Sequence, residues 1–434
     1  MNNLLNVGEA VIGLSTNKSY NVSGFLGSGG QGEVYAVSAN DGQYALKWYF
    51  ITNATESRYQ SLAALVDKGA PSDKFLWPIE LVRSNRHSGF GYVMALRPRE
   101  YKDLNALMSR KISPTFRSLA LACLHTSHNF HILHSQGYCY RDVSFGNIFF
   151  NPGNGEILIC DNDNVGITGR NSDILGTPRF MAPEIVTGKA SPSTETDQFS
   201  LAVLMFYMLF LSHPLDGKLE ASLKCFDAPA QRRLYGDDPV FIFDPDDDRN
   251  RPAEEVHGNA FIFWEIYPKF IKDAFTTTFT KGLKNPRERV REIQWRSLCL
   301  RLLDSLVHCS HCDMENSFDI TRSNAICWNC KRQLLTPMRL LFENKDEVAI
   351  HRDTMLFPHH LSGDPSQRFN FSTPMVEISR APNNPDIWGL KNISSLLFSA
   401  LTPEGKDLAW EPGRSVSLRP GTILRFGRTN AKII

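Results

Sequence analysis

The sequence predicts an α+β protein built in successive parts: a β-rich opening, a helical middle, a short cysteine-paired module and a small C-terminal β-sandwich. Three observations carry that reading. Up to residue 95, turns rich in Gly, Asn and Asp separate strand-like runs. Beyond residue 104, apolar residues recur at helical spacing as far as Leu306. Two Cys-x-x-Cys pairs, Cys309/Cys312 and Cys327/Cys330, then precede short runs broken by Pro, Gly and Asn. The changes of texture divide the 434 residues into 1–95, 96–307, 308–335 and 336–434, in keeping with roughly 100–200 residues per domain.

Composition excludes several classes. Lys plus Arg is 47 and Asp plus Glu is 46, so the net charge of +1 shows no polyanion-binding surface in the global balance. Hydrophobic residues at 42% and charged residues at 21% are globular values, against extensive disorder. The longest apolar run, residues 201–211, is shorter than the roughly 20 residues a bilayer span needs. Residues 1–6 carry no basic segment, and Glu9 interrupts any apolar signal core, so no export and a cytoplasmic location are expected. Cys123, Cys139, Cys160, Cys225 and Cys299 are scattered among apolar neighbours and read as buried thiols of a reducing compartment.

The elements follow in order. Residues 21–26 lead into a glycine cluster, 33–37 form the next strand, Asn40-Asp41-Gly42 turns, and 44–49 return. Residues 56–68 are helical and stop at Gly69-Ala70-Pro71. Strands are expected at 77–82 and 91–96, and helices at 104–108 and 113–136. Residues 199–211 are nearly all apolar, which suits a helix buried within a helical lobe. Further helices are predicted at 261–279 and 287–306, the second burying a stripe of Val290, Ile293, Leu298, Leu302 and Leu306. The acidic stretch 237–255 reads as a solvated loop. In the tail, strands are expected near 375–378, 396–400, 416–418 and 423–426.

Chemistry is concentrated in three places. The first is Leu26-Gly27-Ser28-Gly29-Gly30-Gln31-Gly32-Glu33-Val34. A lone G-x-G-x-x-G is weak evidence, but a strand rather than a helix follows the last glycine. The pattern therefore describes a hairpin folded over phosphate, not a dinucleotide-binding turn. Glycines let backbone amides approach phosphate oxygens. Lys47 follows mid-strand, where on its own it would read as an exposed strand lysine. The second place is Tyr140-Arg141-Asp142-Val143-Ser144-Phe145-Gly146-Asn147, followed by the strand 157–159 and Asp161-Asn162-Asp163. One carboxylate to accept a hydroxyl proton, with an amide and a second carboxylate to hold metal, is what magnesium-assisted phosphoryl transfer requires. Alone, each cluster also reads as polar turns.

In this order the clusters resemble the eukaryotic-like protein kinase family over residues 20–307. Gly176-Thr177-Pro178-Arg179-Phe180-Met181-Ala182-Pro183-Glu184 is similar to the end of its activation segment, and Asp197 precedes a helix like its central one. The resemblance implies a bilobal fold, with 1–95 as the N-lobe and 96–307 as the C-lobe. It implies that Gly27, Gly29, Gly32 and Val34 cover the nucleotide and Lys47 binds the α/β-phosphates. Asp142 would be the catalytic base, and Asn147 and Asp161 would hold Mg2+ or Mn2+. Met94 to Leu96 would form the hinge beside adenine, and Arg289 would pair with Glu184. ATP and a protein substrate follow, with Thr177 in a pattern similar to serine/threonine kinases. Thr168, Ser172 and Thr177 are candidate self-phosphorylation sites that Arg141 would clamp.

The chain departs from that pattern. Asp161-Asn162-Asp163 replaces Asp-Phe-Gly, so Asp163 adds metal charge or replaces a hinge glycine. Ser144 stands where a lysine is usual, and Tyr140 where a histidine is. Glu56, the acid near the start of the first helix, is close in sequence to Lys47 for a lysine partner. These departures leave a second reading, a pseudokinase scaffold that binds nucleotide and recruits partners without turnover.

The third place is the pair of knuckles, Cys309-Ser310-His311-Cys312 and Cys327-Trp328-Asn329-Cys330, separated by fourteen residues. They read as a structural four-cysteine zinc site with no open coordination position, and His308 and His311 as bystanders. Lys331 and Arg332 beside the second knuckle are too few to mark a nucleic-acid surface. The composite resembles the kinases of the bacterial phosphorylation triad linked to tellurium resistance. It does so through Phe75-Leu76-Trp77-Pro78, Gly89 to Met94, Arg141 to Ser144, Asp161 to Asn164 and Trp388 to Asn392. That resemblance implies a von Willebrand A-type protein and a metal-dependent phosphatase as partners, and a tail similar to a forkhead-associated domain. In the tail, Trp388 and Asn392 read as core and turn residues.

Overall fold

Six antiparallel strands, β1 (Ala10–Gly13), β2 (Ser19–Ser28), β3 (Gly32–Ala39), β4 (Gly42–Tyr49), β5 (Glu80–Arg83) and β6 (Gly91–Ala95), close into a barrel ordered β1-β2-β3-β4-β6-β5. The computed structural model describes residues 4–169, 174–319, 325–381 and 383–434, apart from the side chains of 385 and 386. The strand expected at 77–82 is confined to Glu80–Arg83, since Pro78 has no N–H to give a ladder. Alternation along β4 splits its side chains. Leu46 and Trp48 join one apolar cluster with Val11, Val22 and Val37, whereas Ala45 and Tyr49 join another with Leu62, Tyr92 and Met94.

Helix α1 (Glu56–Lys68) begins where the Thr55 side chain accepts from the backbone N–H of Arg58 and ends at Gly69, whose φ of 78° suits glycine. It buries Leu62 and Leu65.

The helical part opens with β7 (Lys102–Asp103), α2 (Leu104–Met108) and α3 (Phe116–Ser135). Short strands β8 (Tyr138–Cys139), β9 (Ile148–Phe150), β10 (Ile157–Ile159) and β11 (Gly166–Ile167) follow, then α4 (Pro183–Val186) and α5 (Thr194–Phe210). Helix α5 starts in a capping box between Ser193 and Thr196, and every residue from Thr196 to Phe210 is buried, as its apolar sequence requires. Next come α6 (Lys218–Ala221), α7 (Ala228–Arg232), α8 (Gly258–Ile266), α9 (Lys269–Phe279), α10 (Lys281–Lys284) and α11 (Glu292–Asp304).

Three expectations fail here. The helix expected at 261–279 is broken between α8 and α9 at Tyr267-Pro268, where proline restricts the preceding residue and supplies no N–H. The helix expected from 287 begins only at Glu292, after a 3-10 turn at Pro286–Glu288. Its buried face is Trp295, Cys299 and Leu302, spaced i, i+4, i+7, while Ile293 is 45% exposed. Among the five scattered thiols Cys225 is exposed, contrary to expectation.

The chain divides into two compact units, Met1–Trp264 with Lys272–Arg296, and Glu265–Ile271 with Ser297–Ile434. The second contains the hairpin β12 (Leu306–His308) with β13 (Glu315–Ser317). Strands β14 (Arg339–Phe342), β15 (Glu347–Ala349), β16 (Met355–Leu356), β17 (Val376–Ala381), β18 (Asn384–Asn392), β19 (Phe398–Leu401), β20 (Asp407–Trp410), β21 (Ser415–Ser417), β22 (Ile423–Arg425) and β23 (Asn430–Ile433) follow, with α12 (Pro358–Leu361) after β16. They form a six-stranded sheet, β15-β14-β23-β22-β19-β20, and a four-stranded sheet, β16-β17-β18-β21. Leu340, Leu424 and Ile433 of the first share a buried cluster with Leu356, Val376 and Leu390 of the second. Asn392 is fully buried, with its amide donating to the carbonyls of Leu396 (2.8 Å) and Trp410 (3.1 Å) and accepting from Ser394. Trp388 is not a core residue: it is half-buried, with the Arg380 guanidinium 4.5 Å from its ring. No helix among the described residues is long and apolar enough to cross a membrane.

Candidate active site and cysteine cluster

The glycine cluster is the bend of the β2–β3 hairpin, closed by a hydrogen bond from Gly29 N to Gly32 O of 2.9 Å, and no helix follows it. Its glycines are not equivalent. A Cβ on Gly27 or Gly29 would meet nothing within 4 Å, but one on Gly32 would lie 2.2 Å from the Trp48 carbonyl oxygen. Gly32 is therefore demanded by the sheet, whereas Gly27 and Gly29 leave open space. Val34, Met94 and Leu96 belong to one apolar cluster beneath that hairpin.

Lys47 lies on β4, buried to 6% exposure, opposite Tyr92 of β6. Its ammonium donates to Asp161 Oδ1, to Asp163 Oδ1 and Oδ2 at 3.0 and 2.9 Å, and to Gln31 Oε1 at 3.2 Å. Asp163 has a fully inaccessible side chain. It also accepts from the Tyr49 hydroxyl and, at 3.2 Å, from that of Tyr92, with Arg58 Nη1 3.7 Å away. Burial works against the Lys47 ammonium, but the Asp163 and Asp161 charges outweigh it and hold its pKa above the usual value. Burial and the neighbouring Asp163 charge push Asp161 up. Asp163 is held down despite its burial, chiefly by Lys47. Burial first, then Asp163, raise Tyr49 and Tyr92 well above the normal phenol range, so both stay protonated donors.

Asp163, read from sequence as added metal charge or a replacement for a hinge glycine, has its carboxylate enclosed by the donors of Lys47, Tyr49 and Tyr92. Glu56 does not pair with Lys47; it accepts from Gln60 Nε2 at 2.6 Å on the exposed side of α1.

The 140–147 loop is fixed from below. Asp197 accepts the backbone N–H groups of Tyr140 and, at 3.0 Å, Arg141, while Arg141 adopts a left-handed φ of 75°. Asn147 Nδ2 donates to the Asp142 carbonyl at 2.8 Å and lies 3.4 Å from its Oδ2. Cys160 N donates to Asn147 O at 2.8 Å, so Asp161, with a left-handed φ of 53°, follows directly beside Asn147. Thr177 Oγ1 donates to Asp142 Oδ1 at 2.8 Å. Thr168 Oγ1 accepts from Thr194 N at 3.1 Å, and Ser172 lies outside the described residues.

Two further buried ion clusters brace this unit. Arg289, with no exposed side-chain surface, pairs with Glu184 through two bonds of 2.7 and 2.8 Å, the pairing anticipated above. His134 bridges Asp197 (3.1 Å) and Glu292 (2.6 Å), which the sequence did not disclose.

In the second unit the four cysteines approach as two turns. Asp313 and Lys331, each following the second cysteine of a knuckle, have φ of 64° and 60°. Tetrahedral thiolates at about 2.3 Å from zinc would lie about 3.8 Å apart. Cys309–Cys330 is 3.7 Å and Cys312–Cys327 is 3.6 Å, with all four sulfurs within 4.8 Å of one another, so the donor set fits zinc. Asn316, 3% exposed, donates to Cys327 Sγ at 3.5 Å. His308 is engaged by Asp353 at 3.0 Å.

Sequence reasoning missed Gln31, Tyr49, Arg58 and Tyr92 around Lys47. Strand periodicity held a signal for part of this: Lys47 and Tyr49 share a face at i, i+2, and Tyr92 is Lys47's cross-strand partner.

Residues 20–232 match the family profile described as protein kinase domain. The chain is 25% identical to "Probable serine/threonine-protein kinase CCRP1" of Zea mays, over 46% of this chain and 33% of that protein. It is 27% identical to "Probable cell cycle serine/threonine-protein kinase CDC5 homolog" of Encephalitozoon cuniculi, over 49% and 46%. A shorter match to "Protein kinase C delta type" of Mus musculus is 37% identical over 21% and 14%. The chain thus spans a third to about a half of the length of the first two relatives. Residues 20–232 thus match a protein kinase domain, a kind of domain that takes ATP and Mg2+, and serine/threonine kinases are among the proteins this chain is similar to. The open space at Gly27 and Gly29, the Lys47 ammonium, and the Asn147 and Asp161 oxygens fit such a ligand set.

Proposed function

We propose that this protein is a serine/threonine kinase that transfers the γ-phosphoryl group of ATP to protein hydroxyls, its own included. One observation carries the reading: beside Asn147, Asp142 already accepts a hydroxyl hydrogen bond, from Thr177 at 2.8 Å. A substrate hydroxyl in that position would be oriented by Asp142 and give up its proton to it. Lys47 would bind the α/β-phosphates under Gly27 and Gly29, with Val34, Met94 and Leu96 against the base. Asn147 and Asp161 would hold Mg2+, which supplies charge neutralisation for the triphosphate.

The paired cysteine knuckles are read as a zinc ribbon, residues 308–335, and the two sheets at 336–434 as a β-sandwich similar to a forkhead-associated domain. Both are assigned to partner binding. The stretches 75–78, 89–94, 141–144, 161–164 and 388–392 support reading the chain as the kinase of a three-protein phosphorylation system, alongside a von Willebrand A-type protein and a metal-dependent phosphatase.

Radiolabel transfer from ATP tests the enzyme. Asp142→Ala is expected to lower incorporation by roughly 10²–10⁴-fold; equal labelling of wild type and variant would remove the proposed base.

A further inference from the structure

The first helix of the N-terminal barrel offers no acid to Lys47. Its two acidic residues are Glu56, bonded to Gln60, and Asp67, which is exposed. It presents Arg58 instead. That guanidinium lies 5.2 Å from the Tyr49 ring, 3.4 Å from Gln31 Oε1 and 3.7 Å from Asp163 Oδ2. The carboxylate facing both cations comes from Asp163, more than 100 residues further along the chain.

We propose that Asp163 is the positioning residue for Lys47 and, through Arg58, the link that ties α1 to the site, a carboxylate moved from the helix to the 161–163 turn. The inference rests on the phosphoryl-transfer reading for its consequence, but its geometry is independent of it.

Lys47 touches two carboxylates, Asp161 and Asp163. Asp161 is the one assigned to Mg2+, so a lysine anchored by Asp161 alone would lose its partner whenever the metal is bound. Asp163 has a side chain with no exposed surface and both oxygens engaged by protein donors, so it stays with Lys47 while Asp161 serves the metal. Next, the donors around Asp163 cover both oxygens. Tyr92 and Lys47 reach Oδ1, while Tyr49, Lys47 and Arg58 address Oδ2, so the carboxylate has a fixed orientation and no unsatisfied lone pair in a buried setting. Finally, the charges balance: Lys47 and Arg58 face Asp161 and Asp163, two against two. With Asp163 present, a glutamate at position 58 would set three carboxylates against one ammonium; an arginine completes the balance.

Relocating the acid tests this. Wild type, Asp163→Asn and Arg58→Glu/Asp163→Asn are compared as full chains. The readouts are steady-state kinetics with ATP and hydrogen exchange of residues 56–68 with and without Mg-ATP. Asp163→Asn is expected to reduce kcat/KM by roughly tenfold or more and to speed exchange in α1. The double variant, which returns a carboxylate to the helix, is expected to recover most of both. Asp163→Asn within roughly twofold of wild type in both readouts, or a double variant no better than the single, would overturn the proposal. If Asp163→Asn does not fold, the double variant decides: its folding with protection of α1 by Mg-ATP supports the anchor, and its failure to fold overturns it. A wild-type chain that phosphorylates nothing, yet shows the loss and recovery in exchange, sinks the kinase reading and leaves the anchor in place.

Discussion

The kinase unit and the cysteine module each gather ionisable groups, but they balance charge in opposite ways. Around Lys47 the positive and negative groups belong to the fold itself, brought together from β4, α1 and the 161–163 turn. The same holds for Arg289 with Glu184 and for His134 with Asp197 and Glu292. The four thiols are aimed by two short turns at one point, where a bound zinc ion would supply the counter-charge. A cluster balanced from within survives loss of its ligand. One balanced from outside does not.

The largest effect is therefore expected from metal removal. Chelation, or Cys327→Ser, should release bound zinc and melt residues 306–319 and 325–334, because apparent zinc binding of about 10–16 kcal/mol is at the same time folding energy. Native mass spectrometry with hydrogen exchange reads both, and a segment as protected without zinc as with it would erase the contrast. Within the kinase unit, Glu184→Ala should cost about 3–5 kcal/mol, nearer the lower figure, because Arg289 keeps the carbonyls of Gly282 and Glu195 as acceptors. Urea unfolding measures it; a loss under about 1 kcal/mol would mean the pair contributes no more than a surface one.

The third effect depends on pH. Burial opposes the charged form of His134, but Asp197 and Glu292 overcome it and raise its pKa from 6.5 to about 9. A raised histidine pKa gives stability that is complete below about 6.5 and lost as pH climbs through about 9, on the order of 3 kcal/mol at most. Denaturation midpoints across that window should slope downward in wild type and flatten in His134→Gln. A parallel slope in both would place the titration elsewhere.

How legible these regions were from sequence follows the same division. The knuckles are local, so spacing alone located the four sulfurs, and the stop at Gly69-Ala70-Pro71 ended α1 where the structure does. Asp142 and Asn147 are five residues apart and were equally plain. Asp163 was visible only as a departure from a pattern, because its partners Tyr49, Arg58 and Tyr92 are set by strand register and helix docking across 71 to 114 residues. Ile293 was misplaced for a related reason: where a helix begins decides which face its apolar residues share, and Pro286 delayed the start to Glu292.

The hairpin glycines carry a last consequence. Because the backbone carbonyl of Trp48 would collide with any side chain at position 32, that glycine would be retained even in a descendant that had abandoned nucleotides altogether. Its survival in a distant sequence testifies to architecture, and only its unhindered companions testify to chemistry.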